Sequence, residues 1–204
     1  HLRKDPDNRL VSRMPLRRMD AEEVRDTVLL LSGRLDETRF GKFDDVEVRK
    51  DGLVTARFKD DEAVLRRSIY LRHRRKEMPT ILETFDQPAM NPNCVERTNS
   101  TIVTQPLYLL NNAMVYDLAG HFARRVAKEA SADPAGQVEH AWLLALNRQP
   151  SDDEIKSGVE ALASLTEEWR QSLAESGSKD SPEEKALADF CHTLINSAGF
   201  LYLD

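Results

Sequence analysis

The sequence has little of what marks disulfide-stapled, haem-carrying or membrane-spanning chains. Its 204 residues include two cysteines, which are too few for a disulfide scaffold, and the absence of C-x-x-C-H means that this chain attaches no c-type haem. No apolar run approaches the roughly 18 residues needed to span a bilayer, so we expect no direct membrane insertion. A secretory signal is not visible either, and a domain excised from a longer parent would look the same.

The two cysteines differ in their sequence settings. Cys191 shares an apolar helical face with Leu187, Leu194 and Ile195, which predicts a small buried hydrophobic side chain. Cys94 lies in a polar segment with no histidine near it in sequence, although a cysteine nucleophile needs such a base. A disulfide between them is compatible with an oxidising compartment, but the spacing does not demand one.

Catalytic signatures are also missing. The sequence contains no H-E-x-x-H, G-x-S-x-G, G-x-x-x-x-G-K or G-x-G-x-x-G motif. Five histidines occur without a pair at metal-ligand spacing, so we predict no metal site and no cofactor in this chain. The run Asp152, Asp153 and Glu154 sits where a helix begins, and acids there stabilise the positive end of the helix dipole. These observations favour a domain that is not an enzyme on its own.

The net charge of −6 is unevenly distributed. Residues 1–102 carry 21 Lys and Arg against 19 Asp and Glu, whereas residues 103–204 carry 8 against 16. The acidic second half argues against a general nucleic-acid binder. One segment is densely basic, and its members are Arg66, Arg67, Arg72, Arg74, Arg75 and Lys76. We favour a solvated surface whose charges pair with carboxylates, and binding of an anionic partner is the alternative.

The patterning predicts a mainly α fold in a single domain spanning residues 1–204. We expect a helix over 20–35, a β-hairpin and a further strand within 44–71, a loop over 77–106, and helices from 107 to 204. The domain is therefore predicted to be helical, with a long polar loop rich in proline and asparagine and a small β-hairpin appendage.

Local signals support several of these boundaries. Asp20 with Glu23 forms a capping-box variant at the start of the first helix. Asp51-Gly52 favours a two-residue hairpin turn, and Ser68–Leu71 reads as a short strand. Asn111-Asn112 is expected to divide the following helical stretch. Phe200–Leu203 is predicted to pack back on the core.

The segment from Phe85 to Asn111 is the most informative part of the sequence. Loops of this length in compact domains are either functional or held by their own side-chain hydrogen bonds. Our candidate binding residues here are Asp86, Cys94, Arg97, Thr101, Gln105 and Asn111. In the functional interpretation Arg97 binds an anion beside the Cys94 thiol. In the structural interpretation, which we favour, the side chains satisfy the loop's own backbone.

The structural interpretation makes a specific prediction for Arg97. Small polar residues surround it and a strongly apolar helix follows, so we expect its side chain to be largely buried. A buried guanidinium needs a charged partner. Asp86 is the first candidate for this partner and Glu96 the second.

Many segments of the sequence together resemble one family, a domain of unknown function with the number fifteen-fifty-three from planctomycetes and verrucomicrobia. The similar segments at the start are Asn8-Arg9-Leu10, Arg13-Met14-Pro15, Arg17 to Glu22, Ser32 to Asp36, and Arg66 to Leu71. The similar segments in the loop are Phe85-Asp86-Gln87-Pro88, Cys94-x-x-Arg97, Ser100-Thr101, and Gln105-Pro106-Leu107 with Asn111. Towards the end they are Ala145 to Pro150, Asn196-Ser197, and Phe200 to Asp204. The sequence departs from the family at residues 40–62.

The resemblance implies a setting more than a mechanism. Such domains usually end large exported proteins that carry another domain of unknown function and often a cytochrome-c-like module, so haem is possible elsewhere in the parent protein. The implied location is the periplasm or the cell surface, alongside polysaccharide or sulfatase systems. Fold-level analogy of this kind supplies no reaction.

Three functional hypotheses follow. The first is a non-catalytic structural or interaction domain that contacts other domains of the same parent protein. The second is binding or hydrolysis of an acidic polysaccharide, sulfated or uronic, through the basic segment 66–76 and the loop 85–111. The third is docking of a haem-bearing module on the acidic second half.

Overall fold

The chain folds as packed helices with short β pairings, as seen in a computed structural model that describes residues 5–57, 65–74, 76–88, 94 and 96–203. In chain order the elements of the first half are β1 (Arg17–Arg18), α1 (Ala21–Leu31), β2 (Leu35–Asp36), β3 (Val46–Val48), β4 (Val54–Ala56), β5 (Leu65–Arg66) and α2 (Thr80–Thr84). Those of the second half are α3 (Thr104–Asn111), α4 (Ala113–Glu129), α5 (Pro134–Leu146), α6 (Asp152–Ser176), α7 (Pro182–Ile195), α8 (Ala198–Leu201) and β6 (Tyr202–Leu203). The predicted mainly α fold with a small hairpin is confirmed.

Helix α1 begins and ends at residues that suit its termini. The Asp20 side chain and Glu23 form the predicted reciprocal capping box, which satisfies free N–H groups of the first turn. At the other end Gly33 has a φ of +69°, and the Arg34 N–H donates to the Leu29 carbonyl at 2.9 Å. This is a Schellman termination. The helix therefore ends before residue 35, and Leu35 belongs to β2 instead.

The hairpin is confirmed, but its turn is longer than predicted. Strands β3 and β4 pair antiparallel, with Val48 opposite Val54, and the Arg49 N–H donates to the Leu53 carbonyl at 2.8 Å. Three residues, 50–52, therefore form the loop, and among them only Gly52 has a positive φ, of +83°. A three-residue loop needs one left-handed residue near its end, whereas the predicted two-residue type I′ turn needs two.

Two short elements differ from their predictions. Residues Ser68–Tyr70 form a 3-10 turn and not a strand, because the Tyr70 N–H bonds back to Arg67 at 2.9 Å. The strand here is β5, which pairs in parallel with β2. Helix α2 lies inside the predicted 77–106 loop, and α3 begins at Thr104. Asn91 and Asn93 of that loop lie outside the described residues.

The core is built mainly by the second-half helices. Helix α7 packs against both α4 and α6. Helix α1 packs against α4 and α2, and α2 packs in turn against α3. Fully buried side chains include Phe122 and Val126 of α4, Cys191 and Ile195 of α7, and Leu82 of α2. The tail returns as predicted for Phe200 and Leu201, which are buried, whereas Leu203 is 41% exposed. Strand β6 pairs antiparallel with β1, which brings the end of the chain beside residues 17 and 18.

Candidate functional site

Asp86 is the centre of the polar loop. It follows α2 with a φ of +66°, a left-handed conformation that aspartate tolerates better than most residues. Its carboxylate accepts hydrogen bonds from the Ser100 backbone N–H at 2.8 Å and from the Ser100 hydroxyl at 2.7 Å. Gln105, which is 2% exposed, donates its amide to the same carboxylate at 3.3 Å. One acid thus ties together two segments of a loop that has few backbone bonds of its own.

The charged partner of Asp86 is Arg18, and the prediction of Arg97 at this position was wrong. Arg18 Nη2 lies 2.7 Å from Asp86 Oδ2, and the Arg18 side chain is 3% exposed. The same nitrogen donates to the Phe85 carbonyl at 3.2 Å, and the guanidinium lies over the Phe85 ring. Arg18 reaches this place because β1 pairs with β6, with Arg18 opposite Tyr202. We did not select Arg18 as a site residue from the sequence, where it appeared only within the segment Arg17 to Glu22 that resembles the family.

Arg97 lies at the surface, which corrects the prediction that it is buried. Its side chain is 42% exposed, and it donates two hydrogen bonds of 2.8 Å to the carboxylate of Glu22. Asp20 lies 3.6 Å away as a second acid. Neither Asp86 nor Glu96 is its partner in these contacts. The hydrogen bonds from Arg97 lower the pKa of Glu22, with burial opposing the effect.

The other three candidates in the loop are not part of the Asp86 cluster. Cys94 is exposed and its thiol contacts the Glu96 carbonyl at 3.0 Å, which is not a base that could activate it. The Thr101 hydroxyl lies 3.2 Å from the Tyr202 hydroxyl. Asn111 is exposed and donates to the Leu107 carbonyl of its own helix at 3.0 Å.

The two cysteines are free thiols and are not joined by a disulfide. Cys191 is buried, as predicted, whereas Cys94 is exposed. Burial raises the pKa of the Cys191 thiol, which keeps it protonated and unreactive. His192, which is the most buried of the four histidines that the structure describes, places its Nε2 2.9 Å from the Leu109 carbonyl. That contact and an edge-on contact with Tyr116 give it a packing role.

Acidic neighbours compensate much of the basic segment. Arg66 is the most enclosed member: it contacts Asp44 at 2.7 Å and stacks on the Tyr70 ring. Arg72 and Arg74 both approach Asp45, at 3.6 and 3.5 Å, and Arg74 also pairs with Glu77 at 2.6 Å. Arg67 and Lys76 are exposed, and Arg75 lies outside the described residues. The segment therefore resembles a charge-paired surface more than a continuous cationic patch.

The side chains of this region can bind a partner and can hold the loop in its conformation. Within the part of the chain that the structure describes, no three acidic, histidine or cysteine side chains come together as metal ligands would. No described helix has the length and apolar composition to cross a membrane. The Asp86 carboxylate organises the loop by accepting hydrogen bonds from four donors, one of which belongs to the buried Arg18.

Comparison with known proteins gives one clear relationship. Neither a curated protein nor a solved structure matches the chain. A family model does match residues 1–162, and it describes PSD1, a protein of unknown function (DUF1553). The matched range includes β1, α1, the hairpin, the Asp86 cluster and helices α2 to α5, so the loop described above falls within it. Because the match covers most of the 204 residues, the chain belongs to the DUF1553 family.

Proposed function

We propose that this chain is a non-catalytic interaction domain of a larger exported protein and that it docks against other domains of that protein. The observation that carries the proposal is the outward side of α3. Val103, Leu107 and Leu110 are 74%, 48% and 56% exposed. They recur at spacings of four and three residues, so they form one apolar face of the helix. We call these three residues the α3 face.

The α3 face differs from an ordinary solvent-facing helix surface. On the opposite side Leu109 is buried in the core and Gln105 is buried against Asp86, so the exposed leucines of α3 are not the side that packs on this domain. Ile102, just before the helix, is 49% exposed and extends the apolar character of this region. Contiguous exposed apolar surface typically marks a contact with another protein. The loop that precedes α3 is held in place by the Arg18–Asp86 ion pair and by the bonds from Ser100 to Asp86, so the position of α3 is fixed.

Association with the rest of the parent protein tests this proposal. The isolated domain is titrated with the separately produced remaining domains, and heat of binding is measured at low and at high salt. Leu107→Asp and Leu110→Asp should abolish binding, because each places an unpaired charge in an apolar contact. Leu143→Asp, at a leucine of α5 that is 40% exposed, is the matched control. Absence of binding by the unaltered domain, or binding that the α3 substitutions leave intact, would refute the docking role.

Acidic polysaccharide binding is the second proposal, and its support is the exposure of Arg67 and Lys76 beside the charge-paired arginines. A sulfated glycan would have to compete with Asp44, Asp45 and Glu77, which already contact the segment. Titration with heparin at two salt concentrations measures this directly. Affinity that falls steeply with salt and is lost in Arg67→Ala/Lys76→Ala would support it, and no affinity at low salt would end it.

The setting of the domain stays a proposal as well. We propose a periplasmic or cell-surface location, and the support is the resemblance of the sequence to domains of exported proteins. A haem-bearing module of the same parent is a candidate neighbour, because residues 103–204 carry an excess of acid that a basic cytochrome surface would complement. Cell fractionation of the parent protein tests the location, and recovery in the cytoplasm would contradict it.

A further inference from the structure

A groove of about 570 Å³ lies between α4 and the beginning of α7. It is on a different helix from the α3 face. Its walls include Ala123, Leu187 and Ala188, which are buried, so the bottom of the groove is apolar. The two helices run antiparallel, since Tyr116 near the start of α4 hydrogen-bonds to Asp189 late in α7 at 3.0 Å. The groove therefore follows the axis of α4.

Charges of both signs line the groove in equal number. The cations are Arg124, Lys128 and Lys185, and the anions are Asp117, Asp180 and Glu184. Of these, Lys185 and Asp180 already pair at 3.3 Å. A polyanion or a polycation would meet like charge on this rim, which costs affinity. The rim instead suits a partner that also carries both signs.

Among the groove-lining charges of α4, the acid precedes the two bases. Asp117 lies toward one end of the groove; its side chain is 69% exposed and lies 3.8 Å from His121 Nε2 of the same helix. Arg124 and Lys128 follow by two and three turns, which is about 10 and 16 Å at 1.5 Å per residue. Along α4 alone the lining is acidic and then basic, while Asp180, Glu184 and Lys185 line the side formed by α7 and the residues before it. A second α4 running in the opposite direction presents the reverse order.

The positions of Asp117 and Arg124 determine the register of two such α4 helices. If two copies of α4 cross antiparallel near Gly120, Asp117 of each copy lies opposite Arg124 of the other, and both pairs form at once. This is the self-complementary arrangement that a two-fold axis requires. Gly120 sits at the crossing point, and a Cβ added there would meet only Arg124 Nη1, at 3.8 Å. The Arg124 side chain therefore lies beside the proposed crossing point, and a partner helix would meet it together with Gly120.

We propose that the groove between α4 and α7 is the interface of a homodimer, in which two α4 helices cross antiparallel and exchange Asp117–Arg124 ion pairs. Tyr116, which is 38% exposed, supplies the aromatic contact beside the crossing point. Aromatic residues and arginine are the side chains that interfaces favour. The partner is a second copy of this chain, so the interface uses the same residues twice.

Sedimentation equilibrium of the intact chain tests the proposal. The unaltered protein should show a concentration-dependent dimer whose dissociation constant rises with salt. Asp117→Arg should raise that constant by at least about tenfold, because it sets like charges against each other. Asp117→Arg/Arg124→Asp should restore dimerisation, since the exchanged pair is again complementary. Gly120→Leu should also weaken the dimer by blocking close approach.

Glu160→Arg is the matched control, because it reverses one exposed acid on α6 away from the groove. It should leave the dimer unchanged, and melting temperatures show that each variant is folded. Three outcomes overturn the proposal. They are an unaltered protein that sediments as a monomer at every concentration and salt, a dimer that Asp117→Arg leaves intact, and a charge exchange that fails to restore association.

Discussion

Single residues decide how the polar loop is held, and Asp86 decides most. Arg18 has a 3% exposed side chain, and Nη2 is the one guanidinium nitrogen for which the described residues supply an acceptor. A buried guanidinium without a counter-charge is unfavourable because its hydration is lost. Asp86 supplies that charge and also adopts the left-handed backbone conformation of the turn after α2. Removal of its carboxylate therefore leaves Arg18 without a counter-charge and removes the hydrogen bonds that hold Ser100.

We expect Asp86→Ala to lower the free energy of unfolding by about 3–5 kcal/mol, the usual cost of leaving a buried charge unpaired. Asp86→Asn is the comparison, because asparagine tolerates the same positive φ and retains an acceptor oxygen. It should cost less. Urea unfolding measures both, and a loss below about 1 kcal/mol for the alanine variant would show that Arg18 does not depend on Asp86.

Arg97 should behave differently, because its ion pair is half-exposed. Arg97→Ala is expected to cost under about 1 kcal/mol after solvent screening is allowed for. The pKa of Glu22 is lowered from its ordinary value of 4.5 chiefly by Arg97. A lowered carboxyl pKa stabilises the fold above pH 4.5 and ceases to do so as the pH falls through the lowered value.

Thermal unfolding as a function of pH checks this expectation. The small difference in stability between the unaltered chain and Arg97→Ala should be constant near neutral pH and should shrink below pH 4.5. Arg97→Lys keeps one charge without the two-pronged contact and should fall between them. A difference that grows on acidification would contradict the assignment of Glu22 as the partner.

The contrast between Arg18 and Arg97 shows which part of the site the sequence can predict. Asp86 and Gln105 were identified because short polar side chains in a long loop must satisfy its backbone. The charged partner was assigned wrongly because Arg97 is only 11 positions from Asp86 in the sequence, whereas Arg18 is 68 away. Only the pairing of β1 with β6 brings Arg18 to the loop. Two-residue strands leave no periodic signal that predicts such a pairing.

At the scale of elements, capping residues predicted where helices begin more reliably than strand-like composition predicted strands. The cap at Asp20 begins α1 as predicted, and the acidic run Asp152 to Glu154 lies in the first turn of α6, also as predicted. Helix α2 was missed because five residues are too few to show a 3.6-residue period. The segment Ser68–Tyr70 was misassigned because β-branched and aromatic residues favour strands only where neighbouring strands can pair with them. There the backbone bonds locally instead.

Asn112 gives an element-scale prediction, since it ends α3 and begins α4. Its side chain is largely buried and accepts hydrogen bonds from the N–H groups of Met114 at 3.0 Å and Val115 at 3.3 Å. Asn112→Ala leaves those donors unsatisfied and should cost about 1–2 kcal/mol. Asn112→Asp keeps the acceptor and should cost less. Asn111→Ala, at the exposed neighbour, is the control and should be nearly silent in urea unfolding.

At the scale of the molecule, the C-terminal region completes the core. The family model matches residues 1–162 and ends within α6, yet α7 lies between α4 and α6 and contributes Phe190, Leu194 and Ile195 to the core. The buried side chains from Met19 to Leu201 form one continuous cluster. Strand β6 then links the end of the chain to β1. Because of these contacts, we expect the unit that folds to extend beyond residue 162, where the match to the family model ends.

A chain that ends after residue 162 tests this directly, and we expect it not to fold cooperatively. Helix α7 packs along α4 and supplies Phe190, Leu194 and Ile195 to the core, so its loss would expose apolar surface of α4 and remove the favourable free energy of burying it. A chain that ends after residue 201 loses only β6 among the described elements, so it should melt in one transition at a lower temperature. Near-UV circular dichroism and binding of an apolar dye distinguish the two. A sharp melting transition with native aromatic signals in the 1–162 chain would show that α7 is dispensable, and the domain boundary would then lie where the family model ends.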